Sequence, residues 1–220
     1  MRVLQIYNQY RSRSTGESAI VANTVRLLEE HGHEVCLLGR DSLDIRTARQ
    51  KAWAAIQGVY SFSTRRFVSD RIRDWRPDVV HVHNLYPRFS PSVLVACRRE
   101  GVPIVMTVHN YNLTCPTSCH LYKGRICEDC VGGHEYHCVL KNCRNNILES
   151  TVYALRSAVA RRFRLFHDNV SVLIAYTPFA KGRLLQAGFR EDQIKVVPNS
   201  TSVTDTPVDR PAGEIGRAHV

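Results

Sequence analysis

The sequence predicts an α/β fold: a doubly wound, mainly parallel sheet interrupted by a Cys-rich insertion. Three observations carry this. Short apolar runs alternate with helix-period segments from the N-terminus to about residue 197. Gly and Pro punctuate the junctions between them. Hydrophobic residues make up 44% of 220 positions, enough apolar material for the core of one ordinary domain.

The elements follow in order. Residues 2–7 are a β-rich run, and residues 8–18 a polar loop holding one glycine, Gly16. Over residues 17–31 the apolar Ile20, Val21, Val25, Leu27 and Leu28 recur at helical spacing, with Gly32 as the stop residue. Val35 to Leu38 predict a buried strand, which completes the opening of a βαβ unit. Residues 67–75 predict a helix, broken by Arg76-Pro77-Asp78, and residues 79–83 a strand. Residues 91–99 predict a short helix with Ser90 as its N-cap, and residues 104–109 the next strand. A long helical pattern covers residues 146–166. A strand at 171–175, a helix at 178–187 and a strand at 194–197 complete the series. Residues 110–145 hold six of the eight Cys and break the repeat. Residues 201–220 show no apolar period and read as a linker or tail.

Charge and hydropathy narrow the partners. Lys and Arg outnumber Asp and Glu by 30 to 20, a formal net charge of +10. That excess favours phosphorylated ligands, an anionic membrane surface or nucleic acid; a basic solubility coat is the alternative. No unbroken apolar stretch approaches the roughly 18 to 20 residues of a membrane span. Residues 1–8 lack the apolar run and small-residue cleavage site of a signal peptide, so the expected compartment is the cytoplasm, with reduced thiols. No aromatic-interleaved RNA motif or zinc-finger helix spacing is present, so nucleic acid is not expected as a partner.

Ligands of parallel α/β sheets bind beyond the carboxyl ends of the strands. Four loops lie there. The first leads through Ser14, Thr15, Gly16 and Glu17 into a helix N-terminus, which can offer N–H groups to a phosphate; a plain N-cap is the alternative. The second and third begin with His83-Asn84 and His109-Asn110-Tyr111. A strand-end His can take a proton or donate to a developing charge, or merely satisfy a backbone carbonyl. The fourth, Pro198-Asn199-Ser200, reads as a turn leaving the sheet.

In a reducing compartment the Cys segment reads as metal binding rather than as disulfides. Zinc takes four thiolate or imidazole ligands, and the tight pair Cys127 and Cys130 can be completed from Cys115, Cys138 or Cys143. The competing readings are reduced thiols in a folded loop, or disulfides formed on isolation. The segment's position suggests a lid or wall over the strand-end cleft. The helix at 146–166 carries Arg156, Arg161, Arg162 and Arg164 among apolar residues. It reads as a helix covering the sheet with a solvated basic face, and also as a surface able to dock on anionic lipid.

Together these residues resemble the N-terminal domain of the GT-B-fold glycosyltransferases of family 4 (group 1), whose architecture is Rossmann-like. The resemblance runs from Met1 to about Ser200. It rests on Met1 to Ile6, on His31-Gly32-His33-Glu34-Val35, on Pro77 to His83, on Thr107-Val108-His109-Asn110-Tyr111, and on Ile194 to Asn199. A Cys-rich insertion after His-Asn-Tyr is similar to one subgroup of that family. The resemblance implies retaining transfer of a sugar from a nucleotide-sugar donor to a glycan or lipid-linked acceptor, in polysaccharide biosynthesis, with no cofactor required for catalysis. It implies His109 as the active-site histidine that contacts the transferring sugar, Ser14 to Glu17 as the donor-diphosphate loop, and acceptor contacts at His83, Asn84, Asn110 and Tyr111. It makes residues 1–200 the acceptor-side domain, including the 110–145 insertion. The basic balance fits a peripheral site at the inner membrane face, near lipid-linked acceptors. The paired Glu separated by seven residues that marks the family's donor-binding domain does not occur. The expectation is therefore a chain cut before that domain and inactive alone. Residues 215–220, Ile-Gly-Arg-Ala-His-Val, are what a sequencing adapter would encode in translation, so this end is expected to be artefactual. A zinc-stabilised, non-catalytic module that binds glycan or phosphate is the alternative, and a nucleotide-sugar epimerase a third reading.

Overall fold

The computed structural model describes residues 1–9, 16–42 and 47–199. Ser14, Thr15 and the tail at 201–220 lie outside them. Within them the chain is an α/β domain with a six-stranded, all-parallel sheet of Rossmann-like architecture.

The N-terminal half follows the predicted alternation. Strand β1 (Arg2–Gln9) leads to helix α1 (Gly16–Glu30) and strand β2 (Glu34–Asp41). Helices α2 (Ala48–Val59) and α3 (Phe62–Trp75) precede strand β3 (Val79–Val82). Helix α4 (Ser92–Arg99) and strand β4 (Ile104–Thr107) follow. The insertion adds a two-stranded hairpin, β5 (Leu121–Tyr122) with β6 (Arg125–Ile126), and the short helix α5 (Tyr136–Leu140). Helix α6 (Ile147–Arg162), strand β7 (Val172–Ala175), helix α7 (Pro178–Gln186) and strand β8 (Ile194–Val196) complete the domain.

Sheet order is β2-β1-β3-β4-β7-β8. The direction of winding reverses between β1 and β3, and that switch point is where doubly wound sheets open a crevice beyond their strand ends. One sheet face is apolar: Leu4, Ile6, Val80, Val82, Ile104, Met106, Leu173 and Ala175 are all at most 1% exposed. Val68 and Ile72 of α3 and Val93 and Leu94 of α4 join the same core. Each such Val, Leu, Ile or Met side chain contributes about 1.5 to 3 kcal/mol through removal from water.

Four expectations need correction. The strand at Val35 to Leu38 is half-buried, not buried, because β2 is the sheet edge and covers one neighbour only. Ser90 is not the N-cap of α4. Pro91 occupies that position without a side-chain bond, while the Ser90 hydroxyl bonds Ser92 and accepts the Ser61 N–H at 3.2 Å. Helix α2 was not anticipated, although Thr47 and Gln50 form a capping box, a signal readable as Thr-x-x-Gln. Finally, α6 does not keep all its arginines in solvent. Arg156 is only 9% exposed, its guanidinium stacked 3.8 Å from the Tyr86 ring and 4.6 Å from that of Tyr153.

Candidate active site

Strand periodicity and parallel register assemble the site. In the ladder Gln5 pairs with His81, His81 with Val105, and Thr107 with Ile174. Steps of two from these positions keep Gln5, His81, His83, Thr107, His109 and Tyr176 on the face opposite the apolar core. Each of β3, β4 and β7 thus delivers polar side chains to its carboxyl end.

Those side chains form one hydrogen-bonded row. Gln5 Oε1 stands 2.8 Å from His83 Nε2, His83 Nδ1 is 2.9 Å from His109 Nε2, and His109 Nδ1 is 2.9 Å from the Tyr176 hydroxyl. His81 lies beside the row, its ring centroid 4.2 Å from that of His83 and its Nε2 2.8 Å from Thr107 Oγ1. Burial lowers the imidazole pKa values to about 4 for His81, about 2 for His83 and about 4 for His109, and neighbouring imidazoles add to the shift for the last two. All three rings are neutral at pH 7.

At the switch point the backbone joins the loops directly. Asn8 N–H donates to the Asn84 carbonyl at 2.8 Å, and the Asn8 side-chain oxygen accepts the Arg88 N–H at 3.0 Å. Glu17, in the first turn of α1, bonds the Asn84 side chain. Its pKa is raised to about 7, because burial outweighs that bond, and its Oε1 is buried without a partner among the described residues. Its charge also reaches Tyr176, whose phenol is pushed up by burial first and by Glu17 second. A carboxyl that titrates near neutrality therefore shares a rim with the histidine row.

A cavity of about 220 Å³ opens beside this row, lined by His109, Asn110, Tyr111, Tyr176, Thr177 and Arg183, among others. The insertion forms part of its wall. Tyr111 packs edge-on to His120 and Phe179, and Glu128 forms an ion pair with Arg183.

The predicted site residues separate into groups. His109, Asn110 and Tyr111 line the cavity. Glu17 and Asn84 bond each other at the switch point. Gly16 opens α1, with free space where a Cβ would stand, and Ser14 and Thr15 lie outside the described residues. His83, read from the sequence as an acceptor contact, is only 2% exposed and has both ring nitrogens bonded within the protein, so it stands behind the rim. The side-chain oxygens of Asn84 and Asn110 accept the N–H two residues on, fixing the turns. Gln5, Thr107 and Tyr176 escaped sequence reading. The step of two from His81, His83 and His109 was available as a signal; the strand register was not.

The eight Cys are free. In the insertion, Cys130 and Cys138 pack with Ala154, and Cys143 lies against them. Burial first, and the neighbouring thiols second, raise the pKa of Cys130 and of Cys138 to about 12. Among the described residues no group of three or more His, Cys, Asp or Glu is arranged to hold a metal ion.

Comparison with known proteins supplies the family. The sequence model described as Glycosyltransferase Family 4 matches residues 15–204, most of the chain. The chain belongs to glycosyltransferase family 4. No curated protein matches this family 4 chain in sequence. Similar solved structures include UDP-bound MnaA of S. aureus, 16% identical with a TM-score of 0.49 over 90% of this chain and 44% of its own. The UDP-GlcNAc 2-epimerase of Neisseria meningitidis, bound to UDP-GlcNAc, is 15% identical with a TM-score of 0.48, covering 90% and 46%. The lipopolysaccharide outer core galactosyltransferase WaaB, in its apo form, is 14% identical with a TM-score of 0.48, covering 97% and 50%. The family 4 chain thus spans about half the length of the solved structures it resembles. No helix among the described residues is long and apolar enough to cross a membrane.

Proposed function

We propose that this family 4 chain forms the acceptor-side wall of a glycosyltransferase that moves a sugar, with retention, from a nucleotide-sugar donor to a glycan or lipid-linked acceptor. One observation carries the reading. His109, Tyr176 and Asn110 converge on a single cavity beyond the carboxyl ends of a parallel sheet, in a chain matched by the family over residues 15–204. Neutral imidazoles, a phenol and amides suit hydroxyl-rich ligands, which need directed donors and acceptors rather than fixed charge. His109 is the residue on which transfer depends, and Glu17 is the ionisable group on the donor-phosphate side. The donor's nucleotide would be held chiefly by a second domain facing this rim, and this half would not turn over alone.

Peripheral contact with anionic lipid completes the reading. Exposed Trp53 and Ile56 on α2, and Leu148 and Leu155 on α6, accompany a net charge of +10. The test is sugar transfer from a panel of nucleotide-sugars to cell-envelope acceptors, using a full-length protein that contains this chain. Transfer that falls at least a hundredfold in His109→Ala is expected. Absence of transfer from every donor, or full activity in that variant, would overturn the reading.

A further inference from the structure

The hydrogen-bonded row has a direction, and the direction decides which atom a ligand meets. A neutral imidazole has one N–H and one lone pair, so in a row of such rings each must donate on one side and accept on the other. Gln5 sets the sense. It presents Oε1, which can only accept, to His83 Nε2 at 2.8 Å. His83 therefore carries its proton on Nε2 and accepts at Nδ1. His109 must then donate from Nε2, which leaves its Nδ1 to accept the O–H of Tyr176. The hydrogen of the phenol is used inside the protein, while its oxygen lone pairs remain for the cavity that Tyr176 lines. Both nitrogens of His109 are occupied. Gln5 is 0% exposed, and its Nε2 has no acceptor among the described residues.

We propose that Tyr176, which lines the cavity together with His109, meets a sugar hydroxyl. Its oxygen acts as the acceptor, and Gln5 is the positioning residue that sets this polarity through His83 and His109. The cavity then selects a hydroxyl that donates. The inference rests on the glycosyl-transfer reading for the nature of the ligand, but the polarity of the row is a property of the chain itself. Glu17 is the charged group closest in influence to the phenol, and at pH 7 it is partly ionised, which also favours a donating ligand.

The experiment uses the 220-residue chain labelled with ¹⁵N-histidine and long-range ¹H–¹⁵N correlation at pH 7, which distinguishes Nε2–H from Nδ1–H tautomers. His83 and His109 are both expected as Nε2–H. In Gln5→Met, which conserves shape, the nitrogen shifts of His109 should move toward a tautomer mixture, although residue 5 does not touch that ring; a purely packing role for Gln5 would leave them in place. Nδ1–H at both rings, or unlike tautomers at the two, would overturn the polarity. Where Gln5→Met does not fold, the wild-type shifts alone decide. In a full-length protein that contains this chain, Tyr176→Phe should lower kcat/KM about tenfold, as loss of one hydrogen bond to substrate requires. Full activity in that variant would refute the role of Tyr176 and leave the proposed function standing. Wild-type inactivity with all donors would refute the function, while the tautomers still report on the row.

Discussion

Lowering the pH from 7 to 5 should destabilise this domain, and the histidine row accounts for the size of the effect. An imidazole in the unfolded chain titrates near 6.5, whereas burial lowers the values to about 4, 2 and 4 for His81, His83 and His109. Between pH 5 and 7 the unfolded state therefore binds protons that the folded state refuses. Stability rises with pH wherever the unfolded state binds more, so it must fall on acidification across this window. Each histidine contributes a loss of about 2 kcal/mol over the two pH units, or about 6 kcal/mol for the three. Glu17 acts in the opposite sense. Its folded pKa is raised to about 7, so the folded state takes up a proton that the unfolded state does not, which returns about 2 kcal/mol. The net loss of about 4 kcal/mol is a large part of the 5 to 15 kcal/mol typical of a domain. Urea denaturation at the two pH values and constant ionic strength, followed by tryptophan fluorescence, measures it. Glu17→Gln removes the opposing contribution and should enlarge the loss to about 6 kcal/mol. Stability that is flat or rises between pH 7 and 5, or a loss unaltered in Glu17→Gln, would refute the reasoning.

Other positions give sharper local tests. Gly133 has φ +109°, a conformation that L side chains rarely adopt, so Gly133→Ala should cost about 1 to 2 kcal/mol in urea unfolding, while the half-exposed Arg161 guanidinium, 2.7 Å from the new Cβ, moves aside. Gly16→Ala, with open space at its Cβ, should change stability by less than about 1 kcal/mol in the same assay. Arg156 braces three segments: it stacks on Tyr86, bonds the Pro116 carbonyl at 3.3 Å, and lies 3.8 Å from where a Gly58 Cβ would stand. Arg156→Ala should therefore cost about 2 to 4 kcal/mol, whereas Arg156→Met, which keeps volume and removes a buried charge, should cost about 1.5 kcal/mol or less. Trp53→Ser with Leu155→Ser should reduce cosedimentation with phosphatidylglycerol vesicles at least fivefold while leaving the urea midpoint near wild type, since both side chains are more than half exposed.

The strands and most helices were legible from Val, Ile and Leu runs and their breakers, because one face of β3, β4 and β7 is fully buried and the other partly so, which favours continuous apolar runs. Helix α2 was missed because its apolar stripe, Trp53 and Ile56, faces outward and gives no core signal. His109, Asn110 and Tyr111 were found as candidates because each sits at a strand end, a position that sequence alone can mark. What sequence could not supply was the register. Gln5 and His83 are 78 residues apart, and His109 and Tyr176 are 67 apart; only parallel pairing of β1, β3, β4 and β7 brings them within 3 Å. Local patterning determined that this chain would make a parallel sheet with polar strand ends. Tertiary structure decided which of those ends touch, and so placed His83 behind the rim and Tyr176 on it, because a hydrogen bond depends on distance in space and not on spacing along the chain.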